Sequence, residues 1–506
     1  MQLSKFIRYS VLVIGLSLFS TSCKEYLDVN INPNAVQDAP IEQLLTSATT
    51  TVGFFAGSDL HRFSSLLSQQ FSGMGQGATT QPQEYDRYNI QGSDLNNVWN
   101  LAYATILSDL ELIVQKAATE NSPHYAGVAK VLKAYMYQLM VDAWGKVPYT
   151  EALQFTSNTA PAFDNGEAIY TDLERMLDAA IVDMNATTSV KSPGTNSTIY
   201  TGAFTASRPK WIKMANTLKL RLLLHSSKKD RAGTVSRITT LVNSGATFID
   251  ANADNFQMAF FNVARQQNPI HQFELDRVNQ FFPAFTLVDL MNQRMDPRRP
   301  RYFTPFPFTR PFETATYTGA KTGDAPSFKY SRLHIFLRGD TTNANAAVPL
   351  ADGSITNTAY TYNGVAPVRM LTAAEYNFIR AEAAVYGAPG DAQTFYQAGI
   401  RASMQAAGVP TAQIDAYITA NGTLPSAEAD KVRRIIEEKF VANYGVIMEA
   451  WNDWRRTGFP AILFPVNALT PFTPRSLFYP QSEIDLNPNA PAQKTDMSER
   501  VFWDTM

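Results

Sequence analysis

Apolar residues recur at intervals of three and four through several long stretches of the chain, the spacing that lays a stripe along one face of a helix. From Val98 to Val114 the stripe is Val98, Leu101, Ala102, Ile106, Leu110 and Ile113. A second amphipathic stretch runs from about Tyr125 to Trp144 and should stop at Gly145, with Pro148 keeping the chain from resuming a helix at once. Further helices are expected over about Gly166 to Met184 and Arg208 to His225. Thr372 to Tyr386 predicts another, closed by Gly387-Ala388-Pro389-Gly390, and Asp391 caps a following helix that reaches about Ala407. These two form a helical hairpin. Pro425 to Arg456 supplies one or two more.

Between about Phe248 and Met370 the periodicity lapses into Asn, Pro, Gly, Thr and aromatic residues. Loops and short strands are expected there, and the same holds for the Pro- and aromatic-rich tail after Gly458. The pattern therefore predicts a predominantly all-α protein. Its helical scaffold covers about 41–247 and 371–460, and a loop-rich part with short strands covers about 248–370 and 461–506, all within one domain from 41 to 506. The paired helices resemble tetratricopeptide units, although no strict repeat period is present.

The N-terminus sets the compartment. Lys5 and Arg8 precede a short apolar run from Tyr9 to Phe19, followed by Ser20-Thr21-Ser22. That is the pattern of a cleaved export signal over 1–22, too short to span a bilayer, which needs about 20 apolar residues. Cys23 is the only cysteine, so no internal disulfide can form. Its place resembles the acylated cysteine of a bacterial lipoprotein, and 23–40 then reads as a lipidated tether; an ordinary signal with a stray thiol is the plainer alternative.

Composition narrows the chemistry. With 43 Lys and Arg against 45 Asp and Glu, the chain has no basic field to hold nucleic acid. His61, His124, His225, His271 and His334 stand alone in sequence, without a second ligand at helical spacing, so no metal and no cofactor is expected. Gly73-Met74-Gly75-Gln76-Gly77-Ala78 formally fits a dinucleotide fingerprint, but a helical pattern before it and Pro82 after it favour a flexible loop. Glu84 and Asp86 share one loop and could serve a glycosidase only across a cleft. The basic cluster Arg294, Arg298, Arg299 and Arg301 reads as a structural turn with local ion pairs, with an anion grip as the alternative.

Aromatics are abundant: 31 Phe, 22 Tyr and 6 Trp. Trp99, Tyr103, Tyr135 and Trp211 lie on helical stripes and belong to the core, whereas rings in turn-rich segments suit stacking against a ligand. The expected contacts are Tyr85, Tyr88, Phe282, Tyr317 and Tyr330, with Arg87 and Asn89 as polar partners.

Several strings together resemble one family. They are Leu27-Asp28-Val29-Asn30 with Asn32-Pro33-Asn34, Asp142-Ala143-Trp144-Gly145-Lys146-Val147-Pro148-Tyr149 and Trp211 to Arg221. Asp296-Pro297-Arg298, Glu375 to Ala383, Glu438-Lys439-Phe440, Glu449 to Pro460, and Tyr479-Pro480 with Glu483 follow in order. The chain is similar to the SusD/RagB-like lipoproteins of Bacteroidetes, in particular the second SusD-like subgroup. Lys146 departs from the family's usual acidic or small residue. The resemblance implies four tetratricopeptide-like units and a lipid-anchored, surface-exposed place on the outer membrane. It further implies capture of a glycan, or sometimes a peptide, for a SusC-like TonB-dependent transporter, without catalysis. Within the matched strings, Arg380 with Glu382, and Glu449 with Arg455 and Arg456, are expected to be buried pairs. A helical glycan-degrading enzyme and a protein-binding helical-repeat scaffold are the competing readings.

Overall fold

The computed structural model describes residues 39–74, 79–324, 327–343, 351–353 and 360–506. The export signal, Cys23, nearly all of the tether and residues 75–78 of the glycine-rich loop lie outside these. Helices dominate from Ile41 onward, and Ile41–Met506 is one compact unit.

At its centre lies the helix Pro123–Trp144, buried on almost every side. Proline at its first turn costs no hydrogen bond there, and Gly145 at φ 84° ends it as expected. Its main partner, Gly166–Met184, turns Ile169, Tyr170, Leu173, Leu177, Ala180 and Met184 inward, while the Asn165 side chain accepts a cap bond from the Glu167 N–H at 3.2 Å. The two helices approach so closely at Gly127 that a Cβ there would lie 2.5 Å from Met184. Helix Phe204–His225 packs beside them. The predicted hairpin is present as Ala373–Val385 and Ala392–Ala406, capped by Thr372 and Asp391.

Three differences from the sequence pattern have local causes. The Val98 stripe belongs to a continuous helical run, but Leu101–Leu107 is a π-helical segment between Asn96–Asn100 and Ser108–Thr119. Pro425 to Arg456 resolves into Glu428–Ala442 and Glu449–Thr457, parted where Gly445 and Met448 take φ of 82° and 66°. Thr411–Asn421 is a helix that the periodicity did not single out, with only Ile414 and Tyr417 buried.

Among the described residues there are three antiparallel two-stranded ribbons, and the first of them ties the loop-rich part to the scaffold. Strand β1 (Phe71–Gly73) pairs with β5 (Phe281–Pro283), β2 (Lys146–Pro148) with β3 (Phe163–Asn165), and β4 (Phe256–Met258) with β6 (Val368–Leu371). Short helices Pro269–Asp276, Phe285–Gln293, Arg299–Tyr302 and Ile335–Arg338 fill this region. The segment immediately before the glycine-rich loop is thus β1, not the helical pattern expected.

Buried charge knits the helices together, with partners other than those read from the sequence. Glu382 pairs with Arg456, not Arg380; Arg380 instead donates to the Tyr376 hydroxyl at 3.0 Å and the Pro389 carbonyl at 2.9 Å. Glu449 meets Arg221 at 3.5 Å, His225 at 3.2 Å and Lys439 at 3.8 Å. Arg455 donates to the carbonyls of Asp142 and Arg475, both at 2.7 Å, and stacks on Trp451. Two members of the basic cluster are structural: Arg298 binds Asp296 at 2.5 Å and Glu438 at 2.9 Å, and Arg294 also reaches Glu438, at 2.8 Å.

His225, isolated in sequence, meets Asp142 and Glu449 in space, a trio whose candidate ligand atoms lie within 4.8 Å of one another. The Asp142 carboxylate already accepts from Gln138 (2.6 Å), Asn452 (2.9 Å), Trp503 (3.0 Å) and the Tyr170 hydroxyl. Its lone pairs are committed to donors, which makes the trio the centre of a hydrogen-bonded lock rather than an open coordination site.

Candidate functional site

Two cavities of about 260 and 350 Å³ share Asp59, Arg62, Asn97 and Phe273 and form the lobes of one groove. Its walls come from the helix Asp59–Leu67, the short helices Gln81–Asp86, Asn96–Asn100 and Pro269–Asp276, and β5. In the first lobe, Tyr85 leans on Phe63 with ring centroids 4.7 Å apart, and Phe281 lines the same space. Burial, and then the neighbouring Asp94 carboxylate to which it hydrogen-bonds, raise the Tyr85 phenol above its ordinary value, so it stays a neutral ring with a polar tip. The second lobe is bounded by Phe54, Leu60, Leu101 and Gln272.

The dividing ridge carries charge. Arg62 is salt-bridged to Asp59 and lies 4.6 Å from the Phe273 ring centroid, with Arg277 5.2 Å from the same ring. Burial, followed by repulsion from Arg277, holds the Arg62 guanidinium down to about 10. Phe273 is therefore engaged by cations, and Tyr85 and Phe54 are the rings left to meet a ligand. Around them stand planar hydrogen-bonding groups: Gln81, Asn97, Gln272 and the Asp94 carboxylate. Flat apolar faces beside amides and carboxylates match a molecule with apolar ring faces and equatorial hydroxyls.

Of the residues expected from sequence, Tyr85 faces the groove. Arg87 is turned away, binding Glu84 at 3.3 Å and the Asn467 carbonyl at 2.9 Å, and Asn89 donates to Glu84 at 2.6 Å. Tyr88, at φ 66° and 2% exposed, packs edge-on against Phe464. Phe282 is fully buried, and Tyr330, 5.9 Å from it and half-buried, lines neither lobe of the groove. Tyr317, 2% exposed, donates to the Phe312 carbonyl at 2.7 Å and carries Arg299 over its ring. Successive strand residues point to opposite faces, so Phe281 lines the groove while Phe282 enters a small core with Met74 and Ala320.

The sequence reading missed Phe54, Arg62, Asn97, Phe273 and Arg277. For Phe54 a signal was present. In the helix Ile41–Phe55 the buried stripe is Ile41, Leu44, Leu45, Ala48, Val52 and Phe55, and Phe54 falls off it, 36% exposed.

Asp59, Asp94 and Asp276 are the carboxylates that line the groove. Asp59 is tied to Arg62, and Asp94 accepts the Gln91 N–H at 2.8 Å. Asp86 is sealed inside, accepting the Gly323 N–H at 2.8 Å and the Ser72 hydroxyl at 3.1 Å, and burial pushes it up to about 7.

Solved structures share this architecture. A chitin-binding protein superposes with a TM-score of 0.76 at 22% identity, over 92% of this chain and all of that one. A chitin-binding SusD homologue from Flavobacterium johnsoniae gives 0.73 at 20% identity, over 92% of this chain and 98% of that one. A SusD homologue from Bacteroides uniformis gives 0.71 at 22%, over 93% and all of the two chains. No curated protein matches significantly. Among the described residues no helix is long and apolar enough to cross a membrane. The sequence profile of a family described as starch-binding and associating with the outer membrane matches residues 33–480, and the chain belongs to that SusD-like family.

Proposed function

We propose that this protein captures a neutral oligosaccharide in the groove between Tyr85 and Phe54 and delivers it to a SusC-like TonB-dependent transporter. The protein is held at the cell surface by lipid on Cys23. The observation that carries the reading is the pairing of two presented aromatic rings with Gln81, Asn97 and Gln272 around an open groove. The chitin-binding relatives and the family's association with starch and the outer membrane point the same way. Hydrolysis is disfavoured because Asp59 and Asp94 are engaged by Arg62 and Gln91.

Titration calorimetry of the chain from Lys24 onward, against chito- and malto-oligosaccharides, tests capture. Saturable heat in one series, lost in Tyr85→Ala, with the sugar recovered intact, is the expected result. A folded protein silent toward both series, or one that shortens the sugar, would overturn it. Delivery predicts that a TonB-dependent transporter co-elutes with the chain from detergent-solubilised outer membranes, and that globomycin, which blocks lipoprotein processing, leaves the leader uncleaved.

A further inference from the structure

A separate cavity of about 270 Å³ opens where the β6 strand, the helix Ile335–Arg338 and the C-terminal end of the helix Ala392–Ala406 meet. It shares no lining residue with the groove. Arg369, on β6, forms part of its wall and is only 9% exposed. Its guanidinium carbon lies over Phe336, 3.8 Å from the ring centroid, and Nη1 donates to the Phe336 carbonyl at 3.2 Å. That is its one hydrogen bond to the described residues, and no carboxylate among them comes within ion-pair distance. Other buried cations of the scaffold are served differently: Arg221 holds Glu375 in a two-pronged contact at 2.8 Å, and Arg298 spans Asp296 and Glu438.

The guanidinium nitrogens of Arg369 that make no bond keep a share of solvent contact, and a planar anion in the cavity can replace that solvent with two N–H bonds from one fork. A second cation stands close by. Arg301 is exposed at the rim, with Nε fixed on the Ala407 carbonyl at 3.0 Å and Nη2 lying over Gly408. Gly408, at φ 73°, leaves room there, since a Cβ would come within 3.1 Å of that nitrogen. Asp340 and Gln405 complete the polar lining. A lone inorganic anion would gain nothing from Asp340, which repels it. A sugar acid would present a carboxylate to the arginines and hydroxyl donors to Asp340.

We propose that this cavity binds the carboxylate of an acidic sugar, a uronate residue, through Arg369 and Arg301, with Asp340 and Gln405 taking its hydroxyls. The site adds an acidic unit to the ligand class of the capture reading and so rests on it. Its size suits one sugar ring rather than a chain.

Saturation-transfer NMR and calorimetry of the chain from Lys24 onward with methyl β-D-glucuronide, and with methyl β-D-glucoside as the neutral control, test the proposal. The glucuronide should bind and the glucoside should not, and Arg369→Gln and Arg301→Gln should each lower affinity at least tenfold. Arg369→Lys keeps the charge without the fork and should lose nearly as much, which serves if Arg369→Gln does not fold. Tyr85→Ala should leave glucuronide binding unchanged. Absence of glucuronide binding, or binding that survives Arg369→Gln and Arg369→Lys but disappears in Tyr85→Ala, would overturn the assignment. Neutral oligosaccharide binding in the groove is read separately, so a failure of this assignment is told apart from a failure of the capture reading.

Discussion

The Arg456–Glu382 contact joins the helix Glu449–Thr457 to the helix Ala373–Val385, with both side chains essentially inaccessible to water. Arg456 Nη2 lies 2.8 Å from Glu382 Oε2 and 2.9 Å from Asp453 Oδ1, and Nη1 closes on the other Glu382 oxygen. Removing one member of a buried pair strands the other, and the cost depends on what remains. In Arg456→Met, Glu382 keeps only the Tyr386 hydroxyl at 2.8 Å, so a loss of about 4 kcal/mol is expected. In Glu382→Gln, Arg456 still has Asp453, itself shared with Lys439 at 2.9 Å, and the loss should be about 3 kcal/mol. With both charges of the pair gone, the amide at position 382 keeps only the Tyr386 hydroxyl and Asp453 only Lys439, so the double variant should lose about 4 kcal/mol, no more than the worse single change, a coupling of about 3 kcal/mol. Urea unfolding followed by tryptophan fluorescence and far-ultraviolet dichroism, with equal slopes among the variants, gives the numbers. Single losses below about 1 kcal/mol, or costs that add to within about 0.5 kcal/mol, would refute the claim that this pair bears on the helix–helix contact.

Tyr85→Ala and Phe54→Ala should weaken oligosaccharide binding by tenfold or more in calorimetry with little change in melting temperature. Tyr88→Ala, which empties a buried site, should instead cost about 3 kcal/mol of stability in urea unfolding. Asp86 is held near 7 in the fold against 3.8 for the free group, so the unfolded chain releases that proton first and stability should fall as pH rises from about 4 to 7. Asp86→Asn should flatten that slope in melts across this window, by at most about 4 kcal/mol. Gly73→Ala would place a Cβ 1.9 Å from the Pro82 carbonyl oxygen, pushing β1 from the helix that carries Tyr85. Both melting temperature and ligand affinity should drop, and a variant unchanged in both would count against the coupling.

What the sequence displayed was local. Gly145 ends its helix and Asp391 caps its own because both effects act within one turn of backbone. The π-helical segment Leu101–Leu107 left the apolar spacing unaltered and so was hidden. Charge pairing failed for geometric reasons. Arg380 and Glu382 are two apart in a helix and point away from each other. Glu449 is nearly two turns from Arg455 and Arg456, about 10 Å along the axis. Their true partners, Arg221 and Glu382, arrive from helices far off in sequence. The groove was half visible for the same reason. Tyr85 announced itself in a turn-rich stretch, whereas Phe281 and Phe282 differ only in strand register, which a run of two aromatics cannot reveal.

The hydrogen-bonded lock around Asp142 also orders events in time. Trp503 reaches Asp142 across 361 positions, Glu449 joins His225 across 224, and Arg221 joins Glu375 across 154. Each contact can close only after its later partner has been made: Glu375 first, then Glu449, then Trp503. Until Trp503 is present, the Asp142 carboxylate lacks one of its donors and the lock is incomplete. A core cemented by such distant partners sets only once nearly the whole chain, from Asp142 to Trp503, has been made.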